Sequence, residues 1–218
     1  TGGTRGIGLG ASVALAEAGA HVTVAARTAA DIERVVNEMA AVGHAVEGVV
    51  LDITDFEAVR DFVADSAPFD VLVNSAGTAR HSDLAGVTPA DYQAVMQVNL
   101  AATLFVTQAV AGKLQAAGQG GSIINVSSGV GLQGKAKWGA YAVSKFGIEG
   151  MTQVLADELK VYKVRVNSVN PGPTRTAMRK EAYPGEDPKT LPAPADITNA
   201  FVYLASDASS GISGESIE

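Results

Sequence analysis

The chain has 218 residues, 47% hydrophobic and 18% charged, with a net charge of −7. That balance excludes a disordered chain, suits one α/β domain with a sizeable core, and argues against nucleic acid or an anionic membrane as the main partner. The absence of cysteine removes disulfides, thiolate metal sites and a cysteine nucleophile. With no His/Asp/Glu cluster for a metal, no apolar run of membrane-spanning length and no visible signal peptide, a soluble cytoplasmic protein is expected.

The first eight residues, Thr1-Gly2-Gly3-Thr4-Arg5-Gly6-Ile7-Gly8, form a glycine loop that leads into a helix over 9–18. Glycines let the backbone turn sharply and approach a ligand, and a helix N-terminus offers free N–H groups to a phosphate. The loop reads as leaving a strand that is not there, and residues 211–218 read as a strand barely begun, so the chain is expected to be trimmed at both ends. Residues 21–26 are strand-like. Ile32, Val35, Val36 and Met39 follow helical spacing, with Gly43 at the helix end. A strand over 46–52 precedes Thr54-Asp55-Phe56-Glu57, a capping-box pattern that opens a helix with Phe56, Val59, Phe62 and Val63 inward.

A strand over 70–74 is followed by Thr88-Pro89-Ala90-Asp91, the start of a long helix with proline at its first position, running to about Leu114. Then come a strand over 122–127, a helix around Tyr141, a strand over 164–169, and a last helix opened by Pro194-Ala195-Asp196. Residues 178–194, rich in proline and charge, read as a surface loop or lid. Strand–helix alternation of this kind predicts a Rossmann-type doubly wound parallel sheet with helices on both faces and right-handed crossovers, in a single domain over 1–218. Ligands of such folds bind beyond the carboxyl ends of the strands.

Tyr141 and Lys145 lie four apart, so a helix brings the phenol and the ammonium to one face. A nearby fixed positive charge favours the phenolate and lowers its pKa from about 10, which makes the pair a candidate acid/base device. The other four tyrosines have Met96, Val166, Asp187 and Asp207 at the same spacing, so only Tyr141 has the partner.

Taken jointly, Thr1-Gly2-x-x-x-Gly6-x-Gly8, Asn74-Ser75-Ala76-Gly77, Ser128 thirteen residues before Tyr141-x-x-x-Lys145, and Pro171-Gly172 resemble the short-chain dehydrogenase/reductase family over essentially the whole chain. Ser75 departs from the pattern, where the family usually has a second asparagine. The resemblance implies a catalytic group of Asn99, Ser128, Tyr141 and Lys145. Tyr141 would exchange a proton with the substrate oxygen, Ser128 would hydrogen-bond that oxygen, and Lys145 would lower the tyrosine pKa and hold the nicotinamide ribose. Asn99 would hold a water that links Lys145 to solvent.

The resemblance also implies cofactor contacts from the loop residues Gly2, Thr4, Arg5, Gly6, Ile7 and Gly8. Asp52 and Ile53 would flank adenine, and Asn74, Ala76 and Gly77 would line the ribose region. Thr174 and Thr176, after Pro171-Gly172, would hold the nicotinamide amide. At the end of the second predicted strand, where an acid would select NAD, the chain has Ala26-Arg27; Arg27 and Arg5 favour NADP(H) over NAD(H). The expected activity is hydride transfer between nicotinamide and a small carbonyl or secondary alcohol, by a homodimer or homotetramer. The alternative is a non-catalytic NADP(H)-binding regulatory or scaffold protein. His21, His44 and His81 lie outside every motif, with surface or packing roles expected.

Overall fold

The computed structural model describes residues Thr1–Glu218. Six strands and eight α-helices alternate as the hydrophobic periodicity predicts. The chain enters α1 (Gly6–Glu17), then β1 (Val22–Ala26), α2 (Ala29–Ala41), β2 (Val46–Val50), α3 (Phe56–Asp65) and β3 (Val71–Asn74). It continues through α4 (Pro89–Met96), α5 (Ala102–Ala117), β4 (Gly121–Val126), α6 (Gly139–Leu159) and β5 (Val164–Val169). It ends through α7 (Ala177–Ala182), α8 (Asn199–Ala205) and β6 (Ser216–Ile217).

All pairings are parallel: β1 with β2, and β3-β4-β5-β6 in that order. The first two residues bridge the two groups. Thr1 donates to Val73 O at 2.7 Å and accepts from Ser75 N at 3.3 Å, while Gly2 N donates to Ala25 O at 2.9 Å. The glycine loop therefore emerges between β1 and β3, where the strand order reverses and an open α/β sheet offers its crevice.

Both faces of the sheet are covered, and adjacent residues of β4 show it. Ile123 packs with Val59, Val106, Leu114 and Leu159 from α3, α5 and α6, and Ile124 packs with Ala11, Phe201 and Leu204 from α1 and α8. Two-sided burial explains why the central strands do not alternate apolar with polar, although Ser122, Asn125, Asn167 and Ser168 are buried among their valines and isoleucines.

Four details depart from the sequence reading. The cap of α3 is Asp55, whose carboxylate accepts from Ala58 N at 3.0 Å; Thr54 instead bonds Asp52, so the anticipated capping box does not form. The helix anticipated from Pro194 begins as a 3₁₀ turn, Pro194–Ile197, and becomes α-helical only from Asn199. The stretch 178–194 is not a bare loop: it contains most of α7, which Thr176 caps through a bond from Arg179 N at 3.2 Å.

The fourth departure concerns length and polarity. The helix Pro89–Ala117 is long and apolar enough to cross a membrane, with mean hydropathy 1.5, although the sequence reading expects no such run. Asn99, Thr103 and Thr107 punctuate it without lowering its average much. Here it is a core helix, with Val95, Ala102, Val106, Val110 and Leu114 buried in the fold. Its middle, Gln97–Ala101, is a single π-turn, the kind of insertion that recurs at functional sites.

Candidate active site

Beyond the carboxyl ends of β3, β4 and β5, the strand ends and two helix starts converge. Tyr141 lies in the first turn of α6, and Lys145 lies one turn later on the same buried face. The two are 8% and 5% exposed, and the lysine Nζ stands 5.6 Å from the tyrosine ring centre. Nζ donates to Val126 O at 2.7 Å, which ties α6 to the end of β4. Gly131 passes directly over this lysine: a Cβ there would lie 2.8 Å from Lys145 Cβ, so a side chain would push the turn after β4 off the site.

Ser128, just past β4, faces the Tyr141 phenol. Burial pushes the phenol up to about 12, and the Ser128 hydroxyl pulls the other way. Desolvation therefore outweighs any lowering by Lys145, and the net shift runs opposite to the one the spacing suggests. Burial also brings the ammonium itself down to about 8, with Glu149 opposing that fall. Ser127, adjacent to Ser128, is turned inward with its hydroxyl unpartnered.

Asn99 sits in the π-turn at 1% exposure, with its amide fully engaged. Nδ2 donates to Thr78 O at 2.9 Å and Ser144 Oγ at 3.0 Å, and Oδ1 accepts from Thr78 N at 2.8 Å. The side chain thus pins the strand-following loop to both helices and has no free donor for the anticipated water. Asn74 is committed through its amide nitrogen alone. Its Nδ2 reaches Thr107 and Asn125, each at 3.0 Å, and Asn125 reaches Thr152 at 3.0 Å, an amide ladder from α5 through β3 and β4 to α6. The Asn74 Oδ1 is buried and has no hydrogen-bond partner.

The glycine loop has the form of an anion cradle. A Cβ at Gly8 would sit 2.3 Å from Gly2 O, and Gly6 has φ +54, so neither position accepts a side chain without distortion. α1 starts at Gly6 with no side-chain cap, leaving its first N–H groups to a ligand. Thr4 is buried, and its carbonyl accepts from Arg34 Nη2 at 3.1 Å. Arg5 and Arg27 are exposed and make no side-chain hydrogen bond or ion pair within the chain.

Asp52 is exposed and held low, first by the Thr54 N–H and hydroxyl and least by Arg27. The Ile53 side chain belongs to the main core cluster and is only 7% exposed, which leaves its backbone to meet a ligand. Thr176 lies beside the loop, its Cγ2 3.5 Å from where a Gly6 Cβ would be. Thr174 is buried and bonds back to Pro171 O at 3.0 Å, while Gly172 has φ +61. Ala76 and Gly77 run close to the same crevice: Ala76 N lies 2.7 Å from a Cβ built on Gly2, and Asn99 Oδ1 lies 3.5 Å from one built on Gly77. These residues fit a dinucleotide: a glycine cradle at a helix start, free arginines at one end and the Tyr141–Lys145 pair at the other.

Sequence reasoning missed His81 as part of a roof over the phenol. Trp138 packs at a tilt with its ring centre 5.2 Å from that of Tyr141, donates from Nε1 to Tyr183 Oη at 3.1 Å, and meets His81 edge-on at 5.1 Å. Arg179 lies 3.9 Å over the Tyr183 ring and is held by two bonds to Glu186, at 2.7 and 2.6 Å. Three segments distant in sequence build this cover, and no spacing rule connects them. Glu149 and Arg34 were missed as well; Glu149 was open to discovery, since it extends the Tyr141–Lys145 spacing by one more turn.

The family model for short chain dehydrogenases matches residues 1–187. The chain is 39% identical to the oxidoreductase YciK of Escherichia coli (strain K12) over 215 residues, 95% of this chain and 84% of that protein. It is 34% identical to a D-erythrulose reductase of Gallus gallus over 229 residues, covering 100% of this chain and 91% of the other. Among solved structures, a short chain dehydrogenase of Shigella flexneri complexed with NADP superposes with TM-score 0.93 at 37% identity, covering 99% of this chain and 93% of that one.

Proposed function

This chain belongs to the short-chain dehydrogenase family and is an oxidoreductase, and we propose that it transfers a hydride between NADP(H) and a ketone or secondary alcohol, with Tyr141 exchanging the proton at the substrate oxygen. The observation that carries the reading is Ser128 facing a buried Tyr141 phenol with the Lys145 ammonium 5.6 Å from its ring. The nicotinamide supplies the hydride when bound. A phenol pushed up to about 12 is protonated at neutral pH, so the resting site is loaded to donate, the state that carbonyl reduction requires. Ser128 would donate to the oxygen as negative charge develops there. The Trp138–Tyr183 roof would exclude water from it. Asn99 acts here as a pin, not as a group that meets substrate.

The cofactor would lie with its phosphates on Gly6 to Gly8 and its nicotinamide near Thr174 and Thr176. NADP(H) is preferred because Arg5 and Arg27 stand free where a 2′-phosphate would sit and no acid takes the place of Arg27; the Shigella relative holds NADP. Replacing Arg27→Glu should weaken NADPH binding at least about tenfold and leave NADH nearly unchanged. Equal losses for the two cofactors would refute that preference.

Tyr141→Phe tests the reading itself. It should bind NADPH as the parent does and lose turnover by about 10²-fold or more. Turnover within a few-fold of the parent would sink the proposal. Ketoses head the carbonyl panel because the chicken relative is a D-erythrulose reductase. We also propose self-association through the exposed apolar side chains Leu104, Val143, Phe146 and Val154 of α5 and α6, to be read by light scattering.

A further inference from the structure

Lys145 and Glu149 are the two buried charged side chains of the protein, 5% and 7% exposed. They stand four residues apart on α6 and therefore share its inward face. Glu149 has no place in the proton-transfer group described above. Its carboxylate is fixed from two strands, accepting from Ser168 Oγ on β5 at 2.8 Å and from Ser216 Oγ on β6 at 3.3 Å. The lysine ammonium has one partner, the neutral Val126 carbonyl at 2.7 Å. One carbonyl does not compensate a buried ammonium, and two hydroxyls do not compensate a buried carboxylate; each charge needs an opposite one in the same low-dielectric region.

We propose that Glu149 is a positioning residue that keeps Lys145 charged, its carboxylate anchored on β5 and β6 so that the field falls on the ammonium one helical turn away. The other groups around the lysine do not substitute for it. Tyr141, on the same helix, holds its proton at neutral pH. β4, β5 and the π-turn contribute the Val126 carbonyl, Ser168 and Asn99, all neutral. Beyond β6, Glu218 is taken by Asn170, whose Nδ2 donates to it at 2.9 Å. Glu149 is accordingly the one charge felt at Lys145, opposing the fall that burial imposes. Without it the amine would shed its proton near neutral pH, and the charge that lets Tyr141 give up its own proton would be gone. That catalytic consequence rests on the function proposed above; the coupling itself does not.

The test is a ¹³C-lysine NMR titration of the full chain, with the Lys145 resonance assigned by its loss in Lys145→Met. In Glu149→Gln the Lys145 midpoint should fall by about one unit or more, and Glu149→Asp should restore most of it. A midpoint unchanged in Glu149→Gln overturns the proposal, even if stability drops, because loss of the two serine contacts alone would not move it. Should Glu149→Gln fail to fold, the same Lys145 titration is read in Glu149→Thr, which also removes the carboxylate. The Lys145 midpoint should fall there as well, and no fall overturns the proposal. Neither measurement depends on turnover, so an active Tyr141→Phe would refute the reductase chemistry and leave the coupling to be judged separately.

Discussion

Replacing Lys145 by methionine should change how stability depends on pH more than it changes stability at any one pH. A lysine titrates at 10.5 when solvated and at about 8 in this fold. Below pH 8 both the folded and unfolded chains hold the proton, and the cost of burying the ammonium, about 3 kcal/mol, is fully present. Between pH 8 and 10.5 the unfolded chain holds more protons than the folded one, so stability rises with pH. The recovery from this one group is about 1.4 kcal/mol by pH 9 and about 2.5 kcal/mol by pH 10. Tyr141 acts in the opposite sense. Its phenol, at about 12 in the fold against 10.0, lowers stability only as pH passes through and above 10. Urea unfolding of parent and Lys145→Met from pH 7 to 10 therefore reports on the lysine, because groups not coupled to it cancel in the difference. The parent should gain on the variant by the amounts given. A difference that stays flat to within about 0.5 kcal/mol would refute the buried-ammonium description.

Three further outcomes follow from particular contacts. Gly8→Ala puts a methyl carbon 2.3 Å from Gly2 O, so isothermal titration should show NADPH binding at least about tenfold weaker; an unaltered Kd would mean the loop is not the phosphate cradle. Asn99→Leu loses the bonds to Thr78 N, Thr78 O and Ser144 Oγ and should cost about 3 kcal/mol in urea unfolding, with a loss under about 1 kcal/mol counting against the pin. Trp138 is the one tryptophan in the chain, so its fluorescence reports the roof alone. Tyr183→Ala should shift its emission to the red and raise acrylamide quenching; unchanged spectra would mean that Tyr183 does not shield it.

The strand–helix alternation was legible because parallel strands buried on both faces, such as β4 and β5, leave short stretches rich in valine and isoleucine that turns and caps punctuate. The site was legible where its residues are close in sequence, as in Gly2 to Gly8 or Tyr141 and Lys145. It was illegible where side-chain direction decides. Asn74, Ile53 and Thr174 occupy the anticipated strand ends and loops, yet each turns its side chain into the interior, and nothing in the residue order says which way a strand end will face. The tyrosine pKa went the wrong way in the sequence reading because proximity of a charge is visible in spacing, whereas desolvation is a property of everything packed around the phenol. The roof of His81, Trp138 and Tyr183 depends on three loops meeting, which sequence spacing does not encode.

The amide ladder from Thr107 to Thr152, with the Asn99 bonds above it, has a consequence for how this enzyme tolerates change. Apolar side chains grip α5 and α6 against the sheet, but such contacts allow small sliding, since methyl groups have no preferred partner atom. Amide and hydroxyl pairs allow none: each either meets its partner within a few tenths of an ångström or is lost. Affinity between the layers and alignment of the side chains at the strand ends are thus assigned to different chemistries. Substitutions among the valines and leucines of the core can drift, and the protein can grow less stable, while Tyr141, Lys145 and Ser128 keep their relative places. A single isosteric change in the polar ladder would do the reverse, leaving a folded protein whose parts are slightly out of true.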